Sequence, residues 1–154
     1  MQKIFLTFFY SGLSPKAPGT MGTIASLPVG LAILYFLDVS TLFLLTIFAT
    51  MAGIVEVNKY EKKTGIHDDK SIVIDEVVGM WLALVIIAGS LNIYTIILAF
   101  VFFRFFDIKK PSFIGRIDRA NKGGWSVMGD DIVAGMAAGF LTALLWNYLL
   151  VHLI

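Results

Sequence analysis

The sequence predicts an all-α membrane protein: a polytopic bundle of about five transmembrane helices, preceded by a short N-terminal interfacial or re-entrant helix. Of its 154 residues, 58% are hydrophobic and 15% are charged, and the mean hydropathy is +0.84. A soluble domain averages about 45–50% apolar and roughly 25% charged residues. Disorder requires low hydrophobicity and high charge. The composition therefore excludes both classes, and the length suits a single domain over residues 1–154.

The apolar residues are concentrated in five continuous stretches. They cover residues 21–37, 40–55, 71–89, 91–106 and 131–154. Each stretch is close to the roughly 20 residues that a helix needs to cross a hydrocarbon core. A transmembrane barrel would instead show alternating polarity in short segments. Helices are expected because lipid offers the backbone no other hydrogen-bond partner.

The N-terminal stretch 4–10 is apolar but too short to cross a membrane. It lacks the long apolar region and small-residue cleavage site of a signal peptide. We expect an interfacial or re-entrant helix here, ending in a loop rich in proline and glycine.

The basic residues predict the orientation. When five spans are threaded from an inside N-terminus, all twelve lysines and arginines fall on the inside or at its boundary. Asp38 is the only charged residue on the other side. An excess of lysine and arginine marks the cytoplasmic face. The segment 56–69 is expected to continue the second helix into water on that face.

The charge and the reactive residues exclude several functions. A net charge of +1 provides no basic excess for nucleic acid. The chain has no cysteine, which excludes disulfides, thiolate metal sites and cysteine nucleophiles. Two histidines are too few for a histidine-built metal site.

Acidic residues recur at one depth near the cytoplasmic interface, where carboxylates are costly and indicate function. They are Asp68, Asp75, Glu76, Asp107, Asp130 and Asp131. Helix capping is an alternative for Asp130 or Asp131, but it does not explain Asp75 and Glu76. Clustered carboxylates recruit a cation. Oxygen ligands favour Mg²⁺, which completes its coordination shell with substrate phosphate.

Basic and glycine-bearing segments border the same face. Arg104 lies one turn before Asp107, so it either pairs with that acid, snorkels to the interface, or binds phosphate. The segment 11–23 and the segment 121–124 precede the first and fifth spans. Each either forms a turn that caps a helix or holds an anion. Gly135 and Gly139 are expected to allow close helix packing.

Four blocks together resemble the bacterial phosphatidylglycerophosphatase A family. They read GLSPKAPGTMGT, HDDKSIVIDEVVGMW, FRFFDIKKPSFIGRIDR and NKGGWSVMGDDIVAGMAAG. They cover roughly half of the chain. One departure is Ser126, where the family pattern leads us to expect glycine.

The resemblance implies an enzyme of the bacterial cytoplasmic (inner) membrane, with its active site facing the cytoplasm. It would hydrolyse the membrane lipid phosphatidylglycerophosphate to phosphatidylglycerol and inorganic phosphate, with Mg²⁺ as cofactor. The implied catalytic residues are the six acids above, and the implied metal ligands are Asp75, Glu76, Asp130 and Asp131. The implied phosphate-binding residues are Lys16, Thr20, Arg104 and Lys110.

The same residues leave alternative functions open. A divalent-cation carrier could use buried acids, although carriers place them near the membrane midplane. A histidine-dependent lipid phosphatase needs paired histidines, and a CDP-alcohol phosphotransferase needs a DGxxAR pattern that is absent.

The nucleophile is either water or an aspartate, and the lack of a DxDx(T/V) signature favours water.

Overall fold

A computed structural model describes residues 1–67, 69–109 and 123–150 of the chain, without the side chains of residues 149 and 150. Within these ranges the chain forms helices and turns and no strand, which confirms the all-α prediction. The helices are α1 (Gln2–Leu6), α2 (Pro18–Phe36), α3 (Val39–Thr64), α4 (Ile74–Ile87), α5 (Ile93–Lys109) and α6 (Gly124–Leu145).

The five long helices, α2 to α6, occupy the five apolar stretches. Three of the described helices are long and apolar enough to cross a membrane: α2, α3, and α6 with its continuation to Tyr148. The other two are shorter, with 14 residues in α4 and 17 in α5. At about 1.5 Å per residue, α4 falls well short of a full hydrocarbon thickness.

The bounds of three helices bear on the predicted site. α3 continues to Thr64 and ends at Gly65 with a φ of 71°, as expected for the segment after residue 55. α4 begins at Ile74, so Asp75 and Glu76 lie in its first turn, where the helix dipole favours negative charge. α6 begins at Gly124, and the capping interpretation of Asp130 and Asp131 is therefore wrong.

Helix α4 is the centre of the bundle. It packs against α2, α3, α5 and α6, and its side chains from Val77 to Trp81 are buried. Around it, α2 contacts α3, α3 contacts α6, and α6 contacts α5. Because α4 is the most enclosed helix, the acidic residues at its start are withdrawn from the surface.

The closest helix contact joins α4 and α6 through glycine. A Cβ atom added at Gly135 would overlap the carbonyl oxygen of Gly79, and one at Gly139 would press on Ile86 and Ala83. The expected close packing at these small residues is confirmed. It brings the backbones of α4 and α6 together and so sets the spacing of the acids that they carry.

The N-terminal segment is anchored to the bundle at the level where α4 begins. Phe8, Phe9 and Tyr10 have left-handed backbones with φ of 41°, 54° and 67°, which turn the chain back after α1. The Phe8 ring packs edge-on against Trp81, with ring centroids 6.1 Å apart. The Val73 amide donates to the Leu6 carbonyl oxygen at 2.9 Å, which fixes the residue that precedes α4.

Asp38 is explained by helix capping. Its Oδ1 atom accepts a hydrogen bond from the Thr41 amide at 2.5 Å at the start of α3. This bond lowers the pKa of Asp38, because it stabilises the charged form. The one acid predicted to face away from the basic side is therefore a cap.

Candidate active site

A polar cavity of about 540 Å³ lies at one end of the bundle. It is bordered by the starts of α2, α4 and α6, by the end of α5 and by the segment before α4. Its lining residues are Ala17, Pro18, Gly19, Thr20, His67, Asp69, Lys70, Ile72, Asp75, Glu76, Arg104, Asp107, Ile108, Ser126, Val127, Asp130 and Asp131. The termini of four helices therefore meet at one site.

Three acids of the cavity form a carboxylate cluster: Asp75 and Glu76 from α4, and Asp131 from α6. One carboxylate oxygen of each lies within 4.8 Å of the others. Asp75 Oδ1, Glu76 Oε2 and Asp131 Oδ2 are buried, with no hydrogen-bond partner among the described residues. Buried like charges need compensation, and hard oxygen donors at this spacing could hold a divalent cation such as Mg²⁺.

Asp130 lies beside this cluster and lines the same cavity. It is 3% exposed, and its Oδ1 atom accepts a hydrogen bond from the Asp131 amide at 3.1 Å. Both acids lie in the second turn of α6. The structure thus brings all four predicted metal ligands into one cavity, three of them in the cluster.

Arg104 and Asp107 form an ion pair on α5. Arg104 Nη1 is 2.6 Å from Asp107 Oδ2 and also donates to Thr23 Oγ1 at 3.3 Å. Arg104 Nε is buried without a partner among the described residues. Asp107 therefore holds the guanidinium in place at the cavity wall.

The start of α2 approaches both the cluster and the arginine, and this approach requires glycine. A Cβ atom at Gly19 would overlap Glu76 Oε1 and lie 3.3 Å from Arg104 Nη2. Thr20 follows on the cavity wall. Ala17, just before the helix, has a left-handed φ of 48°, which turns the chain into the cavity.

One predicted residue is missing from the described cavity lining, and two others lie outside the described residues. Lys16 is exposed and is absent from the described cavity lining, although its neighbour Ala17 is part of it. Asp68 and Lys110 lie outside the described residues.

Three polar lining residues are not among the predicted site residues: His67, Asp69 and Lys70. His67 Nδ1 lies 2.6 Å from Glu61 Oε1. Asp69 accepts hydrogen bonds from the Tyr60 hydroxyl at 2.5 Å and the Ser71 amide at 2.9 Å. These bonds lower its pKa. The consecutive polar residues from 67 to 70 are the sequence feature that could have indicated this wall of the cavity.

The match to known proteins covers nearly the whole chain. The family model of phosphatidylglycerophosphatase A matches residues 4–146. The chain belongs to the phosphatidylglycerophosphatase A family. A phosphatidylglycerophosphatase A of Escherichia coli (strain K12) is 39% identical over 134 residues, which is 86% of this chain and 77% of the relative.

Two further relatives match over similar lengths. A phosphatidylglycerophosphatase A of Haemophilus influenzae is 38% identical over 130 residues, or 84% of this chain and 79% of the relative. A putative phosphatidylinositol-3-phosphatase of Bacteroides thetaiotaomicron is 37% identical over 142 residues, or 89% and 88%. No solved structure matches the chain significantly.

Membership of the phosphatidylglycerophosphatase A family makes the chain a phosphoric monoester hydrolase with a lipid substrate. The matched range contains all of the predicted site residues. Within it, the described cavity combines a carboxylate cluster with an arginine, and these are the two kinds of group that phosphate ester chemistry uses.

Proposed function

We propose that this protein removes the terminal phosphate of phosphatidylglycerophosphate in a Mg²⁺-dependent reaction, yielding phosphatidylglycerol and inorganic phosphate. The observation that carries the proposal is one cavity in which three carboxylates, each with an oxygen that has no hydrogen-bond partner among the described residues, lie beside an arginine. The family match supports the substrate. We place the enzyme in the bacterial cytoplasmic membrane with the cavity facing the cytoplasm, because the basic residues collect on that side.

The carboxylate cluster is the proposed metal site. Asp75, Glu76 and Asp131 would hold Mg²⁺, with Asp130 beside them, because each residue of the cluster has an oxygen without another partner among the described residues. When bound, Mg²⁺ neutralises the charge of the phosphomonoester and stabilises the negative charge that develops during its hydrolysis.

Arg104 and the start of α2 are the proposed phosphate-binding groups. The guanidinium of Arg104 is held by Asp107 at the cavity wall, where its N–H groups could donate to a phosphate oxygen. The amides of Gly19 and Thr20 lie in the first turn of α2, where amide hydrogens lack partners within the helix. The Thr20 hydroxyl, Lys16 and Lys110 complete the predicted set.

Water is the proposed nucleophile. Its oxygen attacks phosphorus, the bond between phosphorus and the glycerol oxygen breaks, and the leaving oxygen takes up a proton to become the hydroxyl of phosphatidylglycerol. A trapped phosphoenzyme, or ¹⁸O from labelled water found in a protein carboxylate, would instead identify an aspartate as the nucleophile.

The proposal is tested by phosphate release from two lipids in vesicles, with and without Mg²⁺. Phosphatidylglycerophosphate should be hydrolysed only when Mg²⁺ is present. Phosphatidylinositol 3-phosphate serves as the competitor, because one relative is named for it. Preference for the inositol lipid would show that phosphatidylglycerophosphate is not the main substrate. Full activity in excess chelator would show that the reaction does not depend on Mg²⁺.

The divalent-cation carrier is the alternative that the same preparation can exclude. Vesicles loaded with a Mg²⁺-sensitive dye report cation movement while phosphate release is followed outside. Mg²⁺ entry without any phosphate release would show that the protein is a carrier and not an enzyme.

A further inference from the structure

The helices around α4 leave one gap, between α2 and α5. Each of them packs on α4, yet among the described residues α2 and α5 approach each other at few points, whereas the other neighbours around α4 pack along one another. Stacking of Tyr94 on Trp146, with ring centroids 6.1 Å apart, helps to hold α5 on the α6 side. Among the described residues, the packing around α4 is therefore loosest at this position.

The gap opens directly from the active-site cavity. The cavity walls include the first turn of α2 and the last turn of α5, so the two helices run antiparallel beside it. The hydrogen bond from Arg104 Nη1 to Thr23 Oγ1 crosses the gap at 3.3 Å. This bond marks the boundary between the polar cavity and the rest of the gap.

Below that bond, both helices carry apolar side chains at intervals of four residues. Counting one helical turn from Thr23 and from Arg104, we expect Leu27 on α2 near the level of Phe100 on α5, and Leu31 near the level of Ile96 on the next turn. All four are only partly buried, although they pack on the core. The gap thus changes from polar at the cavity to apolar along the helices.

We propose that this gap is a lateral entrance that holds the acyl chains of the lipid substrate while its phosphate occupies the cavity. The inference rests on the proposed function, since it takes a phosphomonoester lipid as the ligand. A diacyl lipid has a polar head and an apolar tail, and α2 and α5 lead from the polar cavity wall to apolar side chains. Leu27 and Phe100 would contact the chains nearest the headgroup.

A second apolar depression fits this role less well. It has a volume of about 470 Å³ and lies between α3, α4 and α6, with Val78, Met51 and Met136 in its wall. None of its lining residues lines the cavity, whereas α2 and α5 both contribute residues to the cavity wall.

Crosslinking across the gap tests the entrance. The chain has no native cysteine, so Leu27→Cys with Phe100→Cys can be joined specifically by a reducible thiol crosslinker. Joining them should lower hydrolysis of phosphatidylglycerophosphate in vesicles about tenfold or more, and reduction should restore it. Full activity of the crosslinked protein would overturn the entrance.

Bulky substitutions give a matched comparison that needs no crosslink. Leu27→Trp should reduce hydrolysis of the long-chain lipid more than hydrolysis of its chain-free analogue, glycerophosphoglycerophosphate. Val101→Trp is the control, because Val101 is on the same helix as Phe100 but is 52% exposed on another face. Equal effects of Leu27→Trp and Val101→Trp on the lipid would contradict the entrance.

Photolabelling locates the chains independently of turnover. Phosphatidylglycerophosphate with a diazirine in one acyl chain should label α2 and α5, and Leu27→Trp should reduce this labelling. Labelling confined to α3 and α6 would place the chains in the other depression. Absence of phosphate release from the unmodified protein would defeat the proposed function itself, a result distinct from either outcome.

Discussion

At the scale of single residues, the site depends on how closely a helix start approaches charged groups. Gly19 allows α2 to reach Glu76 and Arg104 because it has no Cβ atom. We expect Gly19→Ala to lower turnover about 10- to 100-fold, since Glu76 or Arg104 must move, while the protein still folds. Phosphate release measured at equal folded protein checks this.

Gly89→Ala is the control for that substitution. A Cβ atom at Gly89 would meet nothing within 4 Å, and the residue lies at the other end of α4. If Gly89→Ala and Gly19→Ala reduced turnover equally, the close approach of α2 would not matter for catalysis.

Asp131 tests the carboxylate cluster at the same scale. Asp131→Asn keeps the shape of the side chain but removes one anionic oxygen, so we expect turnover to fall about 100-fold or more. Asp38→Asn is the matched control, because Asp38 caps α3 outside the cavity lining and asparagine caps equally well. Near-normal phosphate release by Asp131→Asn would remove that residue from the site.

At the scale of helices, the crossing of α4 and α6 determines where the acids lie. Gly135→Ala would force the two backbones apart, because its Cβ atom has no room beside Gly79. We expect the free energy of unfolding to fall by about 1–3 kcal/mol and turnover to fall with it. Thermal unfolding and phosphate release in the same detergent measure both effects.

Met136→Leu is the neighbouring control, because Met136 is 42% exposed and the exchange conserves volume. A Gly135→Ala protein as stable and active as Met136→Leu would show that α4 and α6 tolerate a wider spacing.

The segment between α3 and α4 predicts a dependence on pH. In the folded protein the pKa of Asp69 lies below its ordinary value, mainly through the Tyr60 hydroxyl. The ionised carboxylate therefore stabilises the fold above about pH 4, and this contribution is lost as the pH falls through the lower folded-state pKa. Tyr60→Phe should cost less than about 1 kcal/mol at neutral pH, and the cost should shrink once Asp69 is protonated, because the hydroxyl then donates to a neutral carboxyl group.

Unfolding curves of Tyr60→Phe across pH measure that difference. Tyr35→Phe is the control, because Tyr35 is 83% exposed at the far end of α2. A stability difference that stays constant down to acid pH would show that Tyr60 acts by packing and not through Asp69.

The helices could be predicted because their signal is local. Continuous apolar residues predict each long helix, and the six acids and Arg104 stand out against that background. The start of α6 could not be predicted, since the residues from Gly124 to Gly129 carry no strong apolar run. Helical structure there depends on packing against α3, where Gly124 meets Ile54.

The grouping of the acids depends on distances between helices that a single sequence does not contain. In the sequence, Asp107 and Asp131 are both acids predicted at the same membrane depth. In the structure Asp131 joins Asp75 and Glu76, whereas Asp107 pairs with Arg104. His67 lies in the cavity wall because the segment before α4 folds back onto the bundle. The spacing of residues in the sequence does not determine this fold.

At the scale of the whole molecule, metal binding should be measurable as stability. A ligand that binds only the folded state stabilises it by about 2.7 kcal/mol at 100 times its dissociation constant. We expect Mg²⁺ to raise the unfolding temperature of the wild type in detergent. Glu76→Gln should lose this rise, and Asp38→Asn should keep it. An equal rise in all three proteins would place the binding ion elsewhere.

The gap between α2 and α5 also means that the enzyme meets its substrate within the plane of the membrane. A lipid that enters between two helices never leaves the bilayer, so encounters occur by diffusion in a plane. The rate then follows the mole fraction of substrate among the surrounding lipids and not its amount per volume of solution. Diluting the substrate with inert lipid should slow the enzyme, whereas diluting the vesicles with buffer should not.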